Sequence, residues 1–166
     1  LWWYAFLGVM AAVTADTWAT EIGGLSRTPP RSIKTLRPVP PGTSGGVSGL
    51  GLIASLSGGL FIGAAARALL LVPGQAMPDA GLLALLVIAG VAGLLGSLAD
   101  SWIGATWQTM YHCEICGRDI ESARHCGKPS VRIRGRAGWN NDAVNAACSL
   151  AGGASAVALA LAIGLS

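Results

Sequence analysis

Asp16, Asp100 and Asp142 are three of only eight carboxylates among 166 residues, and each stands where an apolar stretch gives way to a polar one. Glu21 lies just over one helical turn past Asp16, and Thr20 shares the Asp16 face at i+4. Asp100, Gly104 and Gln108 are spaced i, i+4, i+8, so one stripe offers a carboxylate, a gap and an amide. Asn141 and Asn145 are likewise one turn apart, beside Asp142. Acidic groups near hydrocarbon are costly and usually turn toward a bundle interior, a cavity or a partner. The bland alternative is that they mark the water boundary and pair with loop arginines. Three carboxylates at equivalent depth point instead to a divalent-cation site. Hard oxygen ligands suit Mg²⁺, which takes one or two carboxylates and leaves positions for phosphates.

A second element of chemistry precedes the second apolar stretch: Pro40-Pro41-Gly42-Thr43-Ser44-Gly45-Gly46. The prolines stop the preceding chain, the glycines leave N–H groups accessible, and Thr43 or Ser44 is expected to cap the helix that follows. Free amides and hydroxyls at a helix N-terminus form a phosphate cradle. The P-loop pattern G-x-x-x-x-G-K-[ST] is absent. Arg27, Arg31 and Lys34 lie just upstream, either as orienting charges that attract anionic headgroups or as a basic mouth for a phosphate-bearing substrate.

Three of the four cysteines form a third group, His112-Cys113-Glu114-Ile115-Cys116 followed by His125-Cys126-Gly127. Cys113, Cys116, His125 and Cys126 supply the Cys₃His set that Zn²⁺ takes tetrahedrally, and a closed site of this kind is structural. Free thiols or a redox pair are the alternatives. The adjacency of His125 and Cys126 strains simultaneous ligation, so His112 is a possible substitute. Cys148 falls in an apolar stretch and reads as a small apolar residue.

The elements that must position these groups follow from the scarcity of charge. Segments 1–15, 45–72, 80–99 and 143–166 hold one charged residue between them, Arg67. Runs this long and charge-free match the roughly 20 apolar residues that span a bilayer, and they exclude a disordered chain, a coiled coil and a soluble single-core domain. Ten of eleven Lys and Arg lie between the first and second or the third and fourth runs. The connection 73–79 has no basic residue. The positive-inside rule then places both basic loops in the cytoplasm. The expected fold is an all-α polytopic bundle with four spans, about 1–18, 45–72, 80–107 and 142–166, and a cytoplasmic loop at 108–139. Trp107 and Trp139 are expected as interface anchors, and Arg67 is expected to snorkel. Frequent glycines within the spans read as close helix packing.

Ala15-Asp16-Thr17-Trp18 recurs as Ala99-Asp100-Ser101-Trp102, each ending an inward span before a basic loop, which reads as a parallel two-helix repeat. The opening Leu1-Trp2-Trp3-Tyr4 reads either as an aromatic interface cluster or as a truncation, with this chain the C-terminal part of a larger bundle. In the second case N-terminal helices of the full-length protein, or another subunit, would complete the bundle.

Residues 14–23, the Pro-Pro-Gly-Thr-Ser-Gly-Gly turn, Asp100-Ser101 with Gly104 and Gln108, and Asn140-Asn141-Asp142 with Asn145 together resemble the transmembrane protein 19 family. That family includes plant phytyl-phosphate kinase and many prokaryotic members. The resemblance covers nearly the whole chain. It implies Mg²⁺-dependent transfer of a phosphoryl group from a nucleoside triphosphate, typically CTP, to a phytyl or other polyprenyl monophosphate. On that reading Asp16, Glu21, Asp100 and Asp142 surround Mg²⁺. Arg27, Arg31, Lys34 and the backbone of Gly42, Thr43, Ser44, Gly45 and Gly46 bind phosphates. Asn141, Asn145 and Gln108 orient nucleotide or substrate, and the prenyl tail lies between helices. The expected setting is a bacterial or archaeal inner membrane, with the site on the cytoplasmic side and no nucleic-acid partner. A transporter or lipid flippase is the rival, and it predicts carboxylates near the midplane rather than at span ends. A structural scaffold would need no acidic constellation.

Overall fold

The computed structural model describes residues 1–71 and 80–165. The expected outer connection 73–79 lies outside the described residues. Four long helices dominate: α1 (Trp2–Gly23), α2 (Gly49–Leu70), α3 (Leu82–Thr106) and α4 (Asn141–Ala162). α1 and α3 pack on each other and on both α2 and α4, so they form the central pair of a four-helix bundle. By length and composition, α2, α3 and α4 can cross a membrane. α1 matches α2 and α4 in length, but its C-terminal half carries Thr14, Asp16, Thr17, Thr20 and Glu21. Of the four expected spans, three are therefore helices apolar enough to cross a membrane, and the first is a helix with a polar end.

The packing inverts that of a soluble bundle. Large apolar side chains point outward, with Ile53, Phe61, Leu83 and Leu150 all more than half exposed. The interior is built from Ala11, Ala12, Ala15, Gly59, Ala89, Ala92 and Gly93. Lipid gives helices no hydrophobic reason to associate, so close contact through small residues does that work. At Gly59 a Cβ would stand 2.7 Å from the Ala89 carbonyl oxygen, with no flexible side chain to yield. Trp18 of α1 stacks on Phe61 of α2 at 5.7 Å. Arg67 is half-buried in the last turn of α2, and Cys148 is buried in α4.

The helix ends depart from expectation in ways that matter for the site. α1 continues to Gly23, past the expected end at 18. α2 begins at Gly49 and not at 45, and its N-cap is Ser48, whose side chain accepts from the Gly51 N–H at 3.0 Å. Thr43 and Ser44 do not cap it: the Thr43 hydroxyl donates to the Pro40 carbonyl, and Ser44 reaches Gln108. The glycine-rich stretch is thus a turn of its own. It is held by a short ribbon of β1 (Arg31–Ser32) on β2 (Gly46–Val47). Asn140 caps α4 through the Ala143 N–H.

The segment 108–139 is not a plain loop. β3 (Met110–Cys113) is central between β4 (Arg118–Ile120) and β7 (Val131–Arg134), and β5 (Arg124–His125) pairs with β6 (Lys128–Pro129) as a separate hairpin. Strands of two to four residues with charged side chains leave no apolar alternation to read. This small sheet is bolted to α3. Arg134 donates to the Gly104 and Ala105 carbonyls at 3.3 and 3.1 Å, satisfying orphan acceptors at the helix C-terminus. Arg136 lies over the Trp107 ring, and Trp107 packs edge-on against Trp139 at 4.9 Å. The two tryptophans therefore fasten this segment to α3.

Replacing Gly59 by Val should force α2 and α3 apart and cost about 1–3 kcal/mol. The check is a thermal melt in detergent, where Gly59→Val should melt well below the parent and Leu150→Val, on the outward face, should not.

Candidate functional site

The polar ends of all four helices and the two segments that join them enclose one cavity of about 440 Å³. α1 lends Asp16, Thr20 and Glu21; α2 and its cap lend Ser48 and Ser55; α3 lends Ser97, Asp100 and Ser101. Gly42, Thr43, Ser44, Gly45 and Gly46 form another wall, and Gln108, Asn141 and Asn145 close it. Residues expected from four separate stretches of sequence thus line one space.

Asp16 and Asp100 are half-buried on the central helix pair. The Ser97 hydroxyl donates to Asp16 Oδ1 at 3.4 Å, linking α3 to α1 beside the cavity. Asp100 Oδ2 is buried with no hydrogen-bond partner among the described residues, and the Ser55 hydroxyl is in the same state. A buried carboxylate oxygen without a partner costs folding free energy. A water molecule, a proton or a cation would each satisfy it. Glu21 is more exposed and stands nearer the mouth.

Of the expected carboxylate, gap and amide stripe, Asp100 and Gly104 lie on α3 and Gln108 stands just past its end. Gly104 leaves space for Ser44, since a Cβ there would lie 2.7 Å from Ser44 Oγ. The Ser44 hydroxyl donates to Gln108 Oε1 through that gap. Gly45, at φ +81°, sits so close that a Cβ would be 2.8 Å from the Ser101 carbonyl. The turn is therefore seated on α3 one helical turn from Asp100. Gln108 is 3% exposed and engaged by Ser44, so it positions the turn more than it faces a ligand.

Other expected residues lie elsewhere. Asp142 does not line the cavity. It is exposed in the first turn of α4, where a carboxylate complements the helix dipole. Of the expected Asp16, Glu21, Asp100 and Asp142, the first three line the cavity, together with Glu121. Arg27, Arg31 and Lys34 are exposed and outside the lining, and Arg31 donates to the Leu36 carbonyl at 2.9 Å. Ser26 and Thr28, on either side of Arg27, do line it. Sequence reasoning passed over Ser55, Ser97 and Glu121. The first two had a signal: Ser97 is three residues from Asp100, and Ser55 follows Ser48 by two turns. Glu121 had none, because its place depends on the fold of the cysteine segment.

In that segment the ligand atoms of Cys113, Cys116, His125 and Cys126 lie within 4.8 Å of one another. His112 is not among them. It pairs across the strands with Asp119 at 2.8 Å. The backbone N–H of Cys116, and then the His125 ring, bring the Cys113 thiol down to about 6.

Removing the Ser44 hydroxyl leaves a buried amide oxygen unsatisfied, at a cost of about 1–3 kcal/mol. Ser44→Ala should lower the melting temperature and open the 42–46 turn to proteolysis, whereas Thr43→Ala should do neither.

Among known proteins, the chain is 37% identical over 144 residues to Protein PGR of Arabidopsis thaliana, covering 84% of this chain and 48% of that protein. It is 31% identical over 103 residues to the uncharacterized membrane protein MJ0933 of Methanocaldococcus jannaschii, covering 62% and 39% respectively. The chain spans less than half the length of these relatives. No solved structure matches it. Residues 1–153 match the model of the family described as integral membrane protein DUF92, and the chain belongs to that family.

Proposed function

We propose that this chain carries the active site of a membrane prenyl-phosphate kinase, which transfers a phosphoryl group from CTP to phytyl or another polyprenyl monophosphate. The observation that carries this reading is the polar cavity at one end of an apolar bundle, lined by Asp16 and Asp100, with Asp100 Oδ2 left without a protein partner among the described residues. In this reading α1 is a fourth span, the two Asp-containing helices are halves of a parallel repeat, and the cavity faces the cytoplasm. The concentration of basic residues at the cavity end supports that side. A transport path would place its carboxylates near the midplane. Here Asp16 lies seven residues from the end of α1 and Asp100 six from the end of α3.

Phosphoryl transfer needs mainly alignment and neutralised charge. Bound Mg²⁺ would supply charge neutralisation across the phosphate oxygens. Asp16 and Asp100 would hold it, with Glu21 at the mouth and Ser97 keeping the Asp16 carboxylate oriented. The amides and hydroxyls of the 42–46 turn would bind phosphate oxygens, held in place by Ser44 on Gln108. Arg27, Arg31 and Lys34, on the segment that forms the rim, would draw in the anionic nucleotide, and Asn141 and Asn145 would orient it. A phosphate oxygen of the lipid attacks the terminal phosphorus of the triphosphate. The new P–O bond forms as the bond to the departing nucleoside diphosphate breaks. The attacking group is already an anion, so no strong general base is required.

A place for the tail supports the lipid assignment. A second, apolar cavity of about 170 Å³ lies between α1 and α2, lined by Trp3, Leu7, Met10, Ile62 and Leu69. At 1.5 Å per residue, Leu7 stands about 14 Å along α1 from Asp16. An isoprenoid tail could lie in that groove with its phosphate at the polar end.

The test is full-length purified protein with Mg²⁺, labelled CTP and a panel of prenyl monophosphates. Prenyl diphosphate should form, and Asp16→Asn or Asp100→Asn should each lower kcat at least about 100-fold without loss of folded protein. No diphosphate from any lipid, or near-normal turnover in both variants, contradicts the reading.

A further inference from the structure

The cysteine segment needs an explanation that phosphoryl transfer does not supply. Cys113 ends β3 and Cys116 follows in a tight knuckle closed by the Gly117 N–H to the Cys113 carbonyl at 2.8 Å, with Gly117 at φ +67°. His125 and Cys126 come from the β5–β6 hairpin, whose turn residues Cys126 and Gly127 have φ +49° and +76°. That left-handed pair is the geometry of a tight hairpin turn. It lets two adjacent residues aim at one point, which removes the expected strain of ligation by neighbours. His125 Nδ1 stands 3.4 Å from Cys116 Sγ and 3.2 Å from Cys126 Sγ. Ligand atoms about 2.0–2.3 Å from a tetrahedral zinc are about 3.5 Å apart, so these separations suit one ion. The two hairpins share no sheet, so among the described strands nothing else pairs β5–β6 to β3 or β4.

The consequence reaches the cavity. Glu121 lies between β4 and β5, that is, between the Cys113–Cys116 knuckle and the His125–Cys126 turn, and it lines the polar cavity. We propose that Cys113, Cys116, His125 and Cys126 bind one structural Zn²⁺, and that this clamp joins the two hairpins so as to hold Glu121 at the rim of the cavity. The zinc assignment stands on its own geometry; the use of Glu121 rests on the cation reading of the cavity above.

The experiment is metal analysis of the full-length protein purified in detergent without added metal. It should carry one equivalent of zinc, and cobalt substituted for it should show the absorption of a tetrahedral cobalt thiolate. Cys116→Ser should lose most of the zinc, while Asp16→Asn and Glu121→Gln should keep all of it. Removing zinc with a chelator should open the 114–128 stretch to trypsin at Arg118 or Arg124. With zinc bound, Glu121→Gln should weaken Mn²⁺ retention by the cavity several-fold, and chelator-stripped protein should show the same weakening. Folded parent protein that binds no zinc, or no tetrahedral cobalt spectrum, overturns the zinc site. Unchanged Mn²⁺ retention in both Glu121→Gln and the stripped protein overturns the role of Glu121 and leaves the zinc result standing. Loss of kinase activity in the assay above changes neither zinc readout.

Discussion

The close approach of α1 and α3 is the constraint on which everything else rests. Gly93 brings α3 so near α1 that a Cβ would lie 3.0 Å from the Ala11 carbonyl and 3.2 Å from Ala15 Cβ. Gly96 sits equally tightly on Ala12. Only residues this small allow two backbones to meet where lipid offers no hydrophobic drive. One turn beyond this contact stand Asp16 and Asp100. The glycine and alanine seam is therefore also what brings two carboxylates from distant parts of the chain to one cavity. The Ser97 hydroxyl spans the same seam to reach Asp16.

From that pair the site grows outward through segments anchored on α3. Ser44 and Gln108 seat the glycine turn on α3, and Arg134, Trp107 and Arg136 fasten the small sheet to the end of the same helix. Both inter-helix segments at the cavity end are thus organised by α3. The polar cavity is formed where they meet the ends of α1, α2 and α4. Its rigid wall is helical, and its polar groups come from segments at the helix ends.

Much of this was legible in the residues themselves. Charge-free runs gave the helices to within a few residues, because desolvating a charge in hydrocarbon costs more than any local preference. The spacing of Asp100, Gly104 and Gln108 announced a gap, and Ser44 fills it. The segment 108–139 was opaque for a physical reason. Its strands are two to four residues long, and their order comes from cross-strand pairing and the Cys/His group, with no periodic burial to read. Asp142 lies outside the cavity lining, and a carboxylate in a first helical turn serves the helix dipole as readily as a metal. Glu121 could be placed only once that small sheet was known.

The central claim is that Asp16 and Asp100 share one divalent cation across the α1–α3 seam. Mn²⁺ binding to the purified protein, followed by electron paramagnetic resonance, measures this without any assumption about substrate. Asp16→Asn and Asp100→Asn should each abolish the tight site, and the double variant should be no worse than either, the non-additivity expected of two ligands to one ion. Retention of tight Mn²⁺ in either single variant, or two independent and additive losses, would contradict the account.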